Sequence, residues 1–413
     1  MEHYDRRLVY APEWMKDFAC LAGDCPEVCC QQWNVDVDPA HAESLRHIDD
    51  PELQELMNSV LRSVRLRRPG SRHAETVHRL QLLNRPDRRC PLLNERNECR
   101  LHKKYGPYVL CDTCFFHPRT FFQIDEQTYL SACLSCPECA RLALFQPEPT
   151  SFASFEAEID PGAEWLETEL ISDPSARRLL LDRDRLIREI ITRLQDRNFP
   201  LKERIIRALA FLRDAESEYA AAGAEVPENS GGPDDGGLSA EKAAEPRIAQ
   251  LYTEVFDPVS DGMEQAARSA ALFTRELAGG TEGYASLLAE QIRRGRALYE
   301  PFVLEHPEPE ENFLVHCVFS DAFKQFYRYQ NEAVSGAEIL RHEARLLTAW
   351  YWYFRVLLCE ASLRSGGMDE ALFLRTVSRT DKTYWHYPDW FARCADRLDS
   401  IPADALPSLI RQI

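Results

Sequence analysis

The stretch Cys20-Leu-Ala-Gly-Asp-Cys25-Pro-Glu-Val-Cys29-Cys30-Gln-Gln-Trp33-Asn-Val35-Asp-Val37-Asp38 decides how this chain is read. A burst of four cysteines runs into apolar side chains at every second position from Trp33 to Val37, the period of a strand. Working outward, cysteines return as Cys90-Pro-Leu-Leu with Cys99, as Cys111-x2-Cys114 ahead of His117-Pro118-Arg119, and as Cys133-x2-Cys136-x2-Cys139. Eleven of the 14 cysteines therefore lie between Cys20 and Cys139. An odd number cannot pair off completely, and a reducing cytosol disfavours disulfides, so the cluster reads as metal binding. A Cys-x2-Cys turn can aim both sulfurs at one ion, and thiolates suit zinc or iron–sulfur clusters. The spacing leaves both metals open. Cys317, Cys359 and Cys394 stand alone and read as small buried hydrophobes. His102 and His117 could add nitrogen ligands, though the ordinary reading of each is a polar or helix-end histidine.

The rest of the chain sets the frame. Its 413 residues, 45% hydrophobic and 28% charged, suffice for a real core and rule out global disorder. A net charge of −18 and a pI near 5.2 argue against nucleic acid and against an anionic membrane surface. Residues 1–140 hold 18 Lys/Arg and 21 Asp/Glu, a net of −3; the remaining 31 and 46 give −15. A partner presenting lysines suits such a surface. Met1–Tyr10 has no apolar run of signal-peptide length and no stretch is long enough to span a bilayer, so the chain is expected to be cytoplasmic.

The expected fold is mainly α: a cysteine-rich α+β metal-binding module over residues 1–145, then a mostly helical domain over 146–413. In the module, Thr120–Ile124 and Thr128–Ala132 are expected to pair as a hairpin, and Pro39 to Val64 to hold one or two short helices. From about residue 150 the pattern is helical, as in Ile205, Leu209, Leu212 and in Leu347, Tyr351, Phe354, Leu358. Residues 221–247 are Gly-, Pro- and acid-rich and are expected to form a disordered loop. The aromatic run Trp350–Phe354 reads as helix core, as do Tyr384–Tyr387 and Trp390, and Arg62–Arg68 as a solvated helix face.

With the cysteine groups in hand, the sequence resembles the flagellin lysine-N-methylases. The resemblance rests on Phe18-Ala19-Cys20-x4-Cys25-Pro-Glu-Val-Cys29-Cys30-Gln-Gln-Trp33-x-Val35-x-Val37-Asp38, on Cys90-Pro91-Leu92-Leu93-Asn94-Glu95 leading to Cys99, on Leu110-Cys111-Asp112-Thr113-Cys114 with Pro118-Arg119, and on Leu134-Ser135-Cys136-Pro137-Glu138. A weaker echo is Glu311-Asn312-Phe313-Leu314-Val315 with Ser378-Arg379. The first three cysteine groups also resemble zinc- or iron-chelating cysteine-cluster proteins. The first resemblance implies methyl transfer from S-adenosylmethionine to lysine amines of flagellin, with a [4Fe–4S] cluster. It implies Cys20, Cys25, Cys29, Cys30, Cys90, Cys99, Cys111 and Cys114 as metal ligands, with Cys136 next and Cys133 and Cys139 last. Eight thiols exceed one four-thiolate cluster, so either two sites exist or some of these thiols are structural.

Nothing in the sequence names the base that would take the lysine proton. A Gly-rich Rossmann turn is absent, since Gly231-Gly232 and Gly279-Gly280 follow no strand pattern. The Cys-x3-Cys-x2-Cys spacing of radical enzymes is broken by Gln32. Arg119 is the candidate for the donor's carboxylate. Two other classes remain: a metal-chelating module that transfers no methyl group, and a redox-sensing or scaffold protein that uses the metal only to fold.

Overall fold

The computed structural model describes residues 4–66, 75–223, 281–322, 334–386 and 406–412. The chain divides into two compact units, Met1–Leu142 with Ser151–Leu166, and Ala143–Thr150 with Glu167–Ile413.

The first unit carries two sheets. One has five strands, β1 (Arg6–Pro12), β5 (Arg119–Ile124), β6 (Gln127–Ala132), β7 (Phe152–Glu158) and β8 (Glu164–Leu166), in the order β7-β1-β6-β5-β8. β1 runs antiparallel to β7 and parallel to β6. The hairpin read from the sequence is β5–β6, with Arg119 opposite Ala132 and Phe122 stacked on its cross-strand partner Tyr129 at 4.7 Å. The other sheet is antiparallel, β2 (Val35–Val37), β4 (Glu75–Leu80) and β3 (Leu61–Leu66), in the order β2-β4-β3. Two short helices precede β3: α1 (Pro39–Arg46) and α2 (Pro51–Val60). Each begins with an Asp-Pro pair. Asp38 accepts from His41 N–H at 2.9 Å, Asp50 from Leu53 N–H at 3.0 Å, and the proline at the first helical position has no N–H to leave unpaired.

Two local expectations change here. The basic run is β3 and not a helix face: Arg62 and Arg65 face Arg79 and Thr76 across the ladder, and Arg67 and Arg68 lie outside the described residues. Leu61 and Val64 are β-branched or apolar positions that pair with Leu80 and Val77, so cross-strand packing overrides the helical spacing of the preceding residues. The chain also remains extended beyond residue 150, in β7 and β8, and the next α-helix starts only at Pro174.

The small sheet and its helices share one core of Val35, Val37, Leu45, Leu53, Met57, Val60, Leu61, Leu80, Leu82, Leu92, Leu101 and Cys111, against which Trp33, Cys90, Cys99 and Cys114 pack half-buried. Burying each such aliphatic side chain is worth about 1.5–3 kcal/mol. The thiols thus sit on the flank of a real core.

The second unit is helical: α6 (Pro174–Leu181), α7 (Arg183–Leu194), α8 (Leu201–Gly223), α9 (Thr281–Glu305), α10 (Glu308–Asp321), α11 (Gly336–Ser365), α12 (Glu370–His386) and α13 (Leu406–Gln412). No described helix is long and apolar enough to cross a membrane. The loop expected over 221–247 lies outside the described residues except for 221–223, which end α8. Cys394, Tyr387, Trp390 and both Gly-Gly pairs also lie outside them. α11 is the central helix. Ser335 and Glu338 cap it reciprocally, and Gly366, at φ 77°, ends it. Trp350, Tyr351, Trp352 and Phe354 are buried on it, as the aromatic run suggested, and Cys317 and Cys359 are buried as read. Gly295 lets α9 touch α11: a Cβ there would lie 2.2 Å from the Cys359 carbonyl oxygen.

α10 buries charge as well as hydrocarbon. Glu310 accepts from Arg355 at 3.3 Å and from Tyr299 at 3.1 Å, while Arg355 also reaches Glu300 at 2.9 Å. Glu311 holds Arg204 at 2.6 Å and Arg197 at 3.0 Å. Asn312 donates to the carbonyls of Leu144 and Gln146. Buried charges persist only when paired in this way.

Candidate metal centre

Local backbone chemistry brings the cysteine groups together. Gln32 adopts φ 67°, and the segment behind it is clamped to a distant strand of chain: Gln32 N–H donates to Arg88 O and Cys90 N–H to Cys30 O at 2.9 Å. Cys30 and Cys90 are thereby neighbours. Asn94 folds the next turn, its Oδ1 accepting from the N–H groups of Arg96 and Glu98, and a bridge between Leu93 and Cys99 returns Cys99 towards Cys90. α4 (Asp112–Phe116) is docked on β2, with Thr113 Oγ1 donating to Asp36 O at 2.7 Å and Asp112 N–H to Asp38 Oδ2 at 3.2 Å. Its first turn puts the Cys114 and Cys111 sulfurs within hydrogen-bonding reach of each other.

The electrostatics record the convergence. Hydrogen bonding to Cys29, then burial, holds the Cys30 thiol well above its usual range, and Cys90 and Cys99 add to this. Cys29 and Cys30 sulfurs are 3.8 Å apart. Burial pushes Cys90 up to about 12, with Cys99 and Cys111 reinforcing it. Burial raises Cys99 too, with Cys111 and Cys29 adding to it. Cys114 is raised by its bond to Cys111 and by burial, and feels Cys30 and Cys90. Cys29, Cys30, Cys90, Cys99, Cys111 and Cys114 therefore form one mutually interacting group. Cys25 is half-buried beside it, raised to about 11 chiefly by burial and secondarily by Cys136, Cys29 and Cys20, while its thiol donates to Glu27 O at 2.9 Å. Cys20 is exposed, with the Ala22 N–H on its sulfur.

This donor set fits a metal. Many thiols packed without a cation repel one another as thiolates, and a bound cation would remove that repulsion and favour their ionisation. One tetrahedral zinc at its usual Zn–S length needs its sulfurs about 3.8 Å apart. Among the described residues no three thiols lie within 4.8 Å of one another. The wider spread suits a cluster that takes its thiolates on separate irons.

Arg119, at the start of β5, lies over the Phe18 ring at 5.3 Å and close enough to Cys139 to favour its thiolate. His102 sits in the short helix α3 (Arg100–Tyr105), as an ordinary helical residue.

The sequence reading passed over one tight group. Asp38, His41 and Asp112 bring their ligand atoms within 4.8 Å of one another. His41 Nδ1 is 2.9 Å from both Asp38 oxygens and 3.8 Å from Asp112, to which Tyr4 donates at 2.8 Å. Asp160, raised by burial and by Asp112 and Asp38, is close by. An imidazole held at Nδ1 by a carboxylate presents Nε2 as a proton acceptor. The Asp-Pro helix start was the available signal, because it folds His41 back over the capping carboxylate. Asp112 separates Cys111 from Thr113, so this pair stands beside the thiols.

Comparison with known proteins points to the other half of the chain. Residues 188–411 match the family model described as the FliB lysine N-methylase C-terminal domain. No curated protein and no solved structure matches the chain. The match runs from within α7 into α13 and includes the Glu311–Val315 echo, whereas the more distinctive motifs precede residue 140. A match spanning more than half of the sequence assigns the family, and the chain belongs to the FliB lysine N-methylases.

Proposed function

We propose that this protein transfers methyl groups from S-adenosylmethionine to lysine side chains of flagellin, with a [4Fe–4S] cluster held by thiols among Cys29, Cys30, Cys90, Cys99, Cys111 and Cys114. The observation that carries the metal part is the meeting of three separate cysteine groups beside one core. An iron with an open position would offer a seat for the donor's amino and carboxylate groups. Arg119 is the nearby cation for the same carboxylate.

The chain's residues supply the remaining chemistry. A free lysine, with a pKa of about 10.4, is almost wholly protonated at neutral pH and cannot attack. His41, oriented by Asp38, accepts that proton. The amine's lone pair then forms the N–C bond to the methyl carbon, the C–S bond breaks with its electron pair going to sulfur, and S-adenosylhomocysteine leaves. Positioning of amine and sulfonium in line supplies several kcal/mol of the barrier. The acidic surface beyond residue 140 suits a lysine-presenting protein partner.

The test is incubation of the anaerobically purified protein with unmodified flagellin and S-adenosylmethionine, read by intact mass. Stepwise gains of one methyl group, absent without the donor, are expected. Bound metal with no mass gain would favour the metal-chelating reading instead.

A further inference from the structure

We propose that Asp38, His41 and Asp112 form a binding site for one divalent cation, and that the filled site takes His41 out of service as a proton acceptor. The consequence rests on His41 serving as the lysine's base; the binding does not. Three segments of chain build the site. Asp38 is the N-cap of α1, its Oδ1 accepting from His41 N–H, and the first helical turn folds the imidazole back until Nδ1 stands 2.9 Å from both carboxylate oxygens. Asp112 opens α4 and is tied to Asp38, whose Oδ2 accepts the Asp112 N–H at 3.2 Å. Tyr4, ahead of β1, donates to Asp112 Oδ1 at 2.8 Å and fixes that carboxylate.

The spacing is that of ligands around one ion. His41 Nδ1 lies 3.8 Å from Asp112 Oδ1, and one ligand atom from each residue falls within 4.8 Å of the other two. An ion with ligands at about 2.1 Å separates neighbours by about 3.0 Å in an octahedron and about 3.4 Å in a tetrahedron. The separations of 2.9 Å and 3.8 Å bracket those values. Charge points the same way. Burial, then Asp112 and Asp38, raise the Asp160 carboxyl, so three acids share one region. Among the described residues none of the three is paired with a lysine or arginine, and His41 is the one base beside them. A divalent ion supplies the missing charge. Side-chain exposures of 13% for His41, 21% for Asp38 and 22% for Asp112 leave a side open for entry and for coordinated water. A cation on Nδ1 displaces the proton that Nδ1 shares with Asp38, and the neutral imidazole then carries its proton on Nε2. Nε2 becomes a donor and no longer accepts the lysine proton.

The experiment titrates Mn2+ into the full-length, anaerobically purified protein and follows the free ion by its electron paramagnetic resonance signal. Manganese is the probe because carboxylate and imidazole suit it, whereas the thiols, from Cys20 to Cys139 in α5 (Pro137–Leu144), suit zinc and iron. One tight Mn2+ per chain is expected. Asp38→Asn, which keeps an acceptor for the helix cap, and His41→Gln should each weaken it by about tenfold or more, with iron content and circular dichroism unchanged. Equal affinity in either folded variant, or no uptake by the unaltered protein at millimolar Mn2+, would overturn the site. Should Asp38→Asn not fold, His41→Gln alone decides. The second readout is methyl transfer to flagellin at neutral pH. Saturating Mn2+ should lower it about as far as His41→Gln does, and the residual rate of His41→Gln should ignore the ion. Full transfer with the site filled would overturn the blockade. A protein that transfers no methyl group even without Mn2+ would sink the methylase reading, and the titration would still decide the cation site.

Discussion

Replacing Glu311 by alanine tests whether the buried charges of α10 hold the second unit together. Glu311 is 1% exposed and accepts from Arg204, itself buried, at 2.6 Å. Arg204 keeps only the Leu194 carbonyl, at 2.7 Å, once the carboxylate is gone, and its Nε already has no partner. Arg197 loses the same carboxylate but is partly exposed, so water replaces most of that bond. The cost is therefore dominated by a single stranded guanidinium, about 3–5 kcal/mol. For a unit of this size each kcal/mol lowers the melting temperature by about 2–4 °C, which gives a fall of about 6–20 °C. Thermal melts followed by far-ultraviolet circular dichroism measure it, with Glu311→Gln, which keeps an acceptor, falling in between. A fall below about 2 °C in Glu311→Ala would refute the reasoning, since the interior would then be shown to tolerate the unpaired arginine.

Three further outcomes are expected. Cys111→Ser/Cys114→Ser should lose its brown colour and its methyl transfer together, and retained transfer in a colourless protein would discard the cluster's role. His41→Gln should lower methyl transfer by about 10²–10⁴-fold at neutral pH with iron content unchanged, and the loss should shrink at high pH, where lysine sheds its proton unaided. In metal-free protein, Cys136, whose bond from Cys139 outweighs burial and brings it down to about 7, should be alkylated ahead of Cys25 and Cys90. Its thiolate fraction, and so its alkylation rate, should rise about tenfold between pH 6 and pH 8, as peptide mapping would show.

Much of the first unit was legible because its signals are local. The β2 alternation, the β5–β6 hairpin and the two short helices between Pro39 and Val60 each follow from neighbours in sequence. The basic run of β3 reads as a helix face because its pairing partner, β4, lies outside the local window, and the ladder between them decides its form. β7 and β8 were missed for the same reason: Phe152–Glu158 is a strand only because β1, far back in the chain, is there to pair with. The cysteine groups could be named but not sorted, since the clamp of Gln32 on Arg88 and the register at Pro118 are tertiary facts. The Glu311–Val315 echo looked weak beside the cysteines, yet it marks a buried polar helix within the matched segment. Its information lies in charges that sequence alone cannot pair.

The placement of β1 between β6 and β7 has a consequence for the order of synthesis. All the clustered thiols have emerged once Cys139 is made, but β1 cannot gain its antiparallel neighbour until Phe152–Glu158 leaves the ribosome. A nascent chain that ends at Cys139 would thus carry every clustered thiol and all three strands of the small sheet, with two of the five strands of the larger sheet still to come. The small sheet and its thiols can be made before the larger sheet closes, so a fragment that stops short of Leu166 tests whether the small sheet holds the sulfurs unaided.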